Sequence, residues 1–236
     1  MVRMTSAIGK DNSAFVLNGA HLLALADGSL YWPDRNTLVV ADLHLEKGSA
    51  FARRGQMLPP YDSRATLAAL TTTLTRLRPD RVICLGDSFH DAQASDRLPP
   101  QDRVVLGKLV ADADWIWIAG NHDPAPPADL GGRVHAHWVD GPLVFRHEAE
   151  HGSIAGEISG HFHPKASVQT RARRLSARCF IEDGKRLILP AYGSYTGGLS
   201  VWHPAISGLF PKGFSVHLAS GRSVVRVPGA RLLRAA

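Results

Sequence analysis

Leu38-Val39-Val40-Ala41-Asp42-Leu43-His44 joins a short, β-branched apolar run to a carboxylate and an imidazole. A run of this kind is typical of a central strand buried on both faces, and Asp42 stands where that strand should end. Upstream, residues 14–17, 21–26 and 30–32 are apolar runs separated by turn residues. Asp27-Gly28 is a hairpin signal, so antiparallel strands lead into the central one. Downstream, residues 62–78 place Leu67, Leu70, Leu74 and Leu77 on one helical face, with Asp62 or Ser63 available as N-cap. Residues 81–85 read as a second buried strand, 101–111 as a helix and 115–119 as a third strand.

Strand and helix therefore alternate through the first half. From about Val134 onward, short strands with closely spaced Gly and Pro take over, among them residues 143–145, 154–158 and 186–189. His135 and His137 alternate as neighbours on one solvated strand face would. The order predicts an α/β fold of two mixed sheets packed face to face with helices outside, and one domain over residues 1–236, with no repeat or linker to divide it.

Hydrophobic residues at 44% and charged residues at 20% are those of an ordinary globular chain, which excludes disordered and fibrous classes. No run approaches the length of a membrane-spanning helix, and Met1 to Thr5 precede no long apolar segment, so a cytoplasmic protein is expected. Two cysteines, Cys84 and Cys179, are too few for a disulfide framework or a thiolate zinc site and read as packing residues. A formal charge of +6 favours a polyanionic partner. Arg171, Arg173, Arg174 and Arg178 form a local cluster that could touch phosphates.

Five elements carry chemistry: Asp42-Leu43-His44, Gly86-Asp87, Gly120-Asn121-His122-Asp123, His147, and Gly160-His161-Phe162-His163. Four directly follow an expected strand, and strand ends are where a layered α/β scaffold converges distant residues on one crevice. Carboxylates, imidazoles and an amide oxygen suit Mn²⁺, Zn²⁺ or Fe²⁺. Two such ions held by a shared carboxylate could clamp a phosphate and generate a hydroxide nucleophile, which is the chemistry of phosphoester hydrolysis. His147 is preferred over His151 because it ends an apolar run, as the other candidates do.

The ordered set D-x-H, G-D, G-N-H-D, H, G-H-x-H resembles the signature of the calcineurin-like metallophosphoesterase superfamily. By position, the resemblance implies one divalent ion on Asp42, His44, Asp87 and His163, and a second on Asp87, Asn121, His147 and His161, with Mn²⁺ first among the candidates. It makes His122 the residue that contacts phosphate and protonates the leaving oxygen, with Asp123 orienting its ring. The arginine-bearing G-D-x-V-D-R-G of the protein phosphatases is replaced by Gly86-Asp87-Ser88-Phe89-His90-Asp91, so a diester is expected over a phosphoprotein.

Further stretches resemble the ligase-associated DNA-damage-response subgroup, PdeM: Ala41 to Gly48 with Arg53-Arg54-Gly55, Leu85 to Asp91, Gly160 to Lys165, and Leu189 to Gly198. That resemblance implies a bacterial enzyme acting on nucleic acid, beside an ATP-dependent DNA ligase, a nuclease and a helicase. His90, Arg53, Arg54 and the loop 192–198 are candidate substrate contacts. Two other readings use the same residues: a phosphoesterase for a small nucleotide, and a metal-stabilised nucleic-acid-binding scaffold, which would need no proton donor at His122.

Overall fold

The computed structural model describes residues 11–59, 61–125, 127–152, 154–171 and 173–234. The opening Met1 to Thr5 lies outside the described residues. Strands β1 (Asn12–Leu17), β2 (Ala20–Leu25), β3 (Leu30–Trp32) and β4 (Thr37–Val40) form an antiparallel meander. The loop leaving β4 runs into α1 (Lys47–Ala52) and α2 (Asp62–Leu77), then β5 (Arg81–Cys84), α3 (Ala94–Arg97), α4 (Pro100–Ala111), β6 (Asp114–Ile118) and β7 (Arg133–His135). Strands β4 to β7 are parallel neighbours, which completes a mixed seven-stranded sheet in sequence order.

The second sheet is built from β8 (His137–Asp140), β9 (Leu143–Arg146), β10 (Glu157–Ser159), β11 (Lys165–Gln169), β12 (Arg174–Glu182) and β13 (Arg186–Ile188). The short helix α5 (Pro204–Ser207) and strands β14 (Ser215–Ala219) and β15 (Val224–Pro228) complete it. Its order is β15-β14-β12-β13-β10-β9-β8, with β11 paired to β12. The pairs β9–β10 and β10–β13 are parallel and the rest antiparallel, so this sheet is mixed too.

Side-chain alternation assigns the layers. In β4 to β6 and the residue after each, Val39, Ala41, Ile83, Leu85, Ile116 and Ile118 face the second sheet, where they meet Phe145, Ile158, Phe180, Leu187 and Leu189 in one buried core. The alternate residues Leu38, Val40, Val82, Cys84, Trp115 and Trp117 face Leu67, Leu70, Leu106 and Leu109 of α2 and α4. A third cluster, including Cys179, Ile181, Val216, Ile206 and Phe210, covers the outer face of the second sheet. Both faces of the central strands are buried, which is why they read as continuous apolar runs. Both cysteines are buried packing residues, and among the described residues no helix is long and apolar enough to cross a membrane.

Three local expectations are corrected. Neither Asp62 nor Ser63 caps α2; Tyr61 holds that position without a side-chain bond. Asp62 instead accepts from the Gly48 amide at 3.0 Å, while the Ser63 hydroxyl accepts from the Glu46 amide at 2.8 Å and donates to the Glu46 carboxylate at 2.7 Å. They brace the loop that follows Asp42 and His44. His135 and His137 do not share a strand face, because the chain passes from β7 in one sheet to β8 in the other between them; the His135 ring lies 4.9 Å from that of Trp138. The arginine cluster also divides. Arg171, Arg173 and Arg174 are exposed, whereas Arg178 is partly buried and donates to the carbonyls of Ala191 and Asp27.

Candidate metal centre

The parallel order of β4, β5 and β6 carries their C-terminal ends to one edge of the sheet, and the loops there hold each other by main-chain bonds. The amides of His44 and Leu45 donate to Asp87 and Ser88, and those of Tyr192 and Gly193 donate to Ala41 and Asp42. Five of the seven candidate ligands, Asp42, His44, Asp87, His161 and His163, sit in the left-handed backbone region, with φ between 44° and 69°. Each such non-glycine residue costs about 1–3 kcal/mol and persists only where surrounding contacts over-determine it. Gly120 explains the tightness of the turn: a β-carbon there would fall on the Asp87 amide and carboxylate.

This backbone brings together what the sequence scattered. Donor atoms of Asp42, His44 and His163 lie within 4.8 Å of one another, as do those of Asp87, His147 and His161. His44 Nε2 is 3.3 Å from His163 Nε2, and Asp42 Oδ1 is 3.4 Å from the same His163 nitrogen. Asn121 Oδ1, His147 Nε2 and His161 Nδ1 form a triangle with edges of 2.7, 3.0 and 3.1 Å. Asp87 lies between the groups, with one oxygen 3.4 Å from His147 Nε2 and the other 3.9 Å from His44 Nε2.

These residues fit a pair of divalent ions on three observations. The His147 Nδ1 lies 2.8 Å from the Leu85 carbonyl, which can only accept, so the ring proton sits there and Nε2 presents a lone pair to the triangle. Lone pairs crowded at such distances repel unless a cation sits among them, and donors about 2.1 Å from an ion are separated by roughly 3 Å. Burial, reinforced by the neighbouring His163, His122, His90 and Lys47, pushes His44 down to about 2, so its imidazole is neutral as a ligand must be. Its buried Nδ1 has no partner among the described residues.

His122 points its Nε2 into the same space, 4.0 Å from Asp87 Oδ2. Its Nδ1 lies 2.7 Å from the carbonyl oxygen of His90, and the two rings stack at 5.4 Å. This corrects the role expected for Asp123. Its carboxylate is buried and accepts from the Phe89 amide at 3.0 Å, while the His90 main chain orients His122. Burial, with Asp87 beside it, pushes Asp123 up to about 7. His90 was singled out from sequence as a substrate contact, but its carbonyl role is invisible there because every residue has that group. His151 is exposed and lines a separate groove with Lys185 and Trp202.

The calcineurin-like phosphoesterase family model matches residues 35–191, more than half of the chain and all of the candidate ligands. This chain belongs to that family. Among solved structures, the Pseudomonas putida nuclease MPE is 27% identical with a TM-score of 0.70, over 92% of this chain and 100% of that one. The E. coli phosphoesterase YfcE is 11% identical with a TM-score of 0.41, over 81% of this chain and 98% of that one. No curated protein matches. Membership makes the chain a phosphoester-hydrolysing metalloenzyme; the family uses divalent metals, and the clusters around Asp42 and Asp87 could hold them.

Proposed function

We propose that this enzyme hydrolyses phosphodiester bonds of nucleic acid. The observation that carries the reading is the position of Asp87 between two donor clusters, with the free Nε2 of His122 4.0 Å from its carboxylate. Asp42, His44, Asp87 and His163 would hold one ion, and Asp87, Asn121, His147 and His161 the other, Mn²⁺ being the first choice. When bound, such a pair polarises the phosphate and supplies a hydroxide nucleophile at neutral pH.

The chain's own residues do the rest. The His90 carbonyl fixes the proton on His122 Nδ1, so the ring can receive a second proton only at Nε2, the atom facing the site. His122 then gives that Nε2 proton to the leaving oxygen as the P–O bond breaks, and regains it from solvent. A site that only held metal for stability would have no use for this donor. The likeness to a nuclease at 27% identity supports nucleic acid as substrate, and the basic charge agrees with it. The PdeM-like stretches support work in the bacterial cytoplasm, in DNA repair, beside an ATP-dependent DNA ligase, a nuclease and a helicase.

The test strips the protein of metal, reloads it with Mn²⁺, Zn²⁺ or Fe²⁺, and compares bis-p-nitrophenyl phosphate, the mono-ester, and single- and double-stranded DNA. Diester and DNA cleavage well above mono-ester turnover is the expected result. Mono-ester turnover equal or faster under the same loading would overturn the diester reading.

A further inference from the structure

Beside His163, a cavity of about 250 Å³ opens between the start of the β11–β12 hairpin and the turn at Ser194 to Gly197. Lys165 and Arg178 both line it. They are direct cross-strand partners in the antiparallel ladder, a placement in which like charges destabilise a sheet. Among the described residues no carboxylate lies at salt-bridge distance from either; the Arg178 hydrogen bonds go to two neutral carbonyls. On the opposite wall, Tyr195 adopts φ 57° in the turn at Ser194 and Tyr195, and the Thr196 hydroxyl donates to the Gly193 carbonyl at 2.9 Å.

The hairpin extends this chemistry outward. Beyond Lys165 and Arg178, the same face carries the pairs Ser167–Ser176 and Gln169–Arg174, so it is polar and cationic along its length and has no acid. The other face carries Ala166, Val168 and Ala177, which pack on the third core cluster. The outer pair lies four residues along the strand, roughly 13 Å at the usual rise.

We propose that the cavity binds the phosphate next to the scissile one, and that the polar face of the β11–β12 hairpin carries the strand away from the metal centre. This rests on the nucleic-acid reading above and adds the path of the substrate. Lys165 meets the nearest phosphate, and Arg174 meets one further along only when the strand is long enough to reach it.

The test uses Lys165→Met, which keeps the stem packed near Gly198 and removes the charge, with Lys165→Arg as rescue and Arg174→Met for the outer position. Substrates are bis-p-nitrophenyl phosphate, which has no second phosphate, and tri-, tetra- and octathymidylate. Lys165→Met should lose about 10- to 100-fold more in kcat/KM on the oligonucleotides than on the small diester, the scale of one charged hydrogen bond, and Lys165→Arg should recover most of it. The Arg174→Met deficit should grow with length. In anisotropy titrations of fluorescent octathymidylate with metal-free protein, each Met variant should flatten the slope of log K against log salt by about 0.7. Equal losses on all substrates with an unchanged salt slope would overturn the path. Were the wild type to cleave no nucleic acid, the function above would fail. The titrations would still decide the surface, and wild-type affinity and slope in Lys165→Met would remove it.

Discussion

The imidazole of His147 is fixed by a main-chain atom: its Nδ1 lies 2.8 Å from the carbonyl oxygen of Leu85, the residue between β5 and Gly86-Asp87. One loop thus supplies Asp87 as a donor and also sets the tautomer of a histidine 60 positions downstream. Replacing His147 with Ala removes the lone pair facing Asn121 and His161 together with this lock. The purified variant should hold one ion fewer than wild type by elemental analysis after Mn²⁺ loading and desalting. Two retained ions would remove His147 from the ligand set.

Asp87 should be the most damaging single ligand to lose. Its Oδ1 faces His147 Nε2 at 3.4 Å and accepts from the His122 amide at 2.9 Å, while its Oδ2 faces His44 Nε2 at 3.9 Å. Asp87→Ala should lose both ions and the turnover that depends on them, whereas His163→Ala, at the edge of one cluster, should leave the other ion bound. An Asp87→Ala enzyme working near the wild-type rate would show that the carboxylate does not bridge.

Away from the site, Glu182 couples stability to pH. Its carboxylate is buried, which alone would raise its titration. The hydrogen bond and charge of Arg226, with the His217 ring 3.7 Å away, overcome burial and hold it below the usual carboxylate range. A group with a depressed folded pKa stabilises the fold above its unfolded pKa, and that contribution disappears as pH falls through the folded value. Glu182→Gln should therefore cost about 1–3 kcal/mol near pH 7 and progressively less on acidification below about 4.5. Urea unfolding of both proteins at pH 7 and pH 3.5 measures this, and a pH-independent gap would exclude ionic coupling at Glu182.

Strands β4 to β6 and helix α2 were legible because each obeys one rule along its whole length: a β-branched apolar run, or leucines at helical spacing. Strands β11, β12, β14 and β15 were not singled out. Residues 174–178 read Arg-Leu-Ser-Ala-Arg, with only one strongly apolar residue, and β14 carries His217, fully buried against Phe15 and the Ser13 hydroxyl. The seven candidate ligands were identifiable by type and order and are drawn together, although their left-handed backbone leaves no mark in residue identity. Orientation was the illegible part. Asp123 looked like the partner of His122 because it is adjacent in sequence, but adjacent side chains diverge at a turn, and the partner came from His90, 32 residues earlier.

Proton donation by His122 and metal retention by His122 have different consequences for a variant. Its Nε2 stands 4.0 Å from Asp87 Oδ2, near the ligands without belonging to the Asn121, His147 and His161 triangle, and its other nitrogen is committed to the His90 carbonyl. A His122→Ala enzyme should keep its full metal content and lose roughly 10²- to 10⁴-fold in rate on a diester with an alkoxide leaving group, the range of general acid catalysis. Hydrolysis of bis-p-nitrophenyl phosphate should suffer less, because p-nitrophenolate leaves without needing a proton. Some loss on both is expected where Nε2 also contacts the phosphate, so the informative quantity is the difference between the two. Equal losses on both substrates, or a missing ion in the variant, would return His122 to a structural or ligand role.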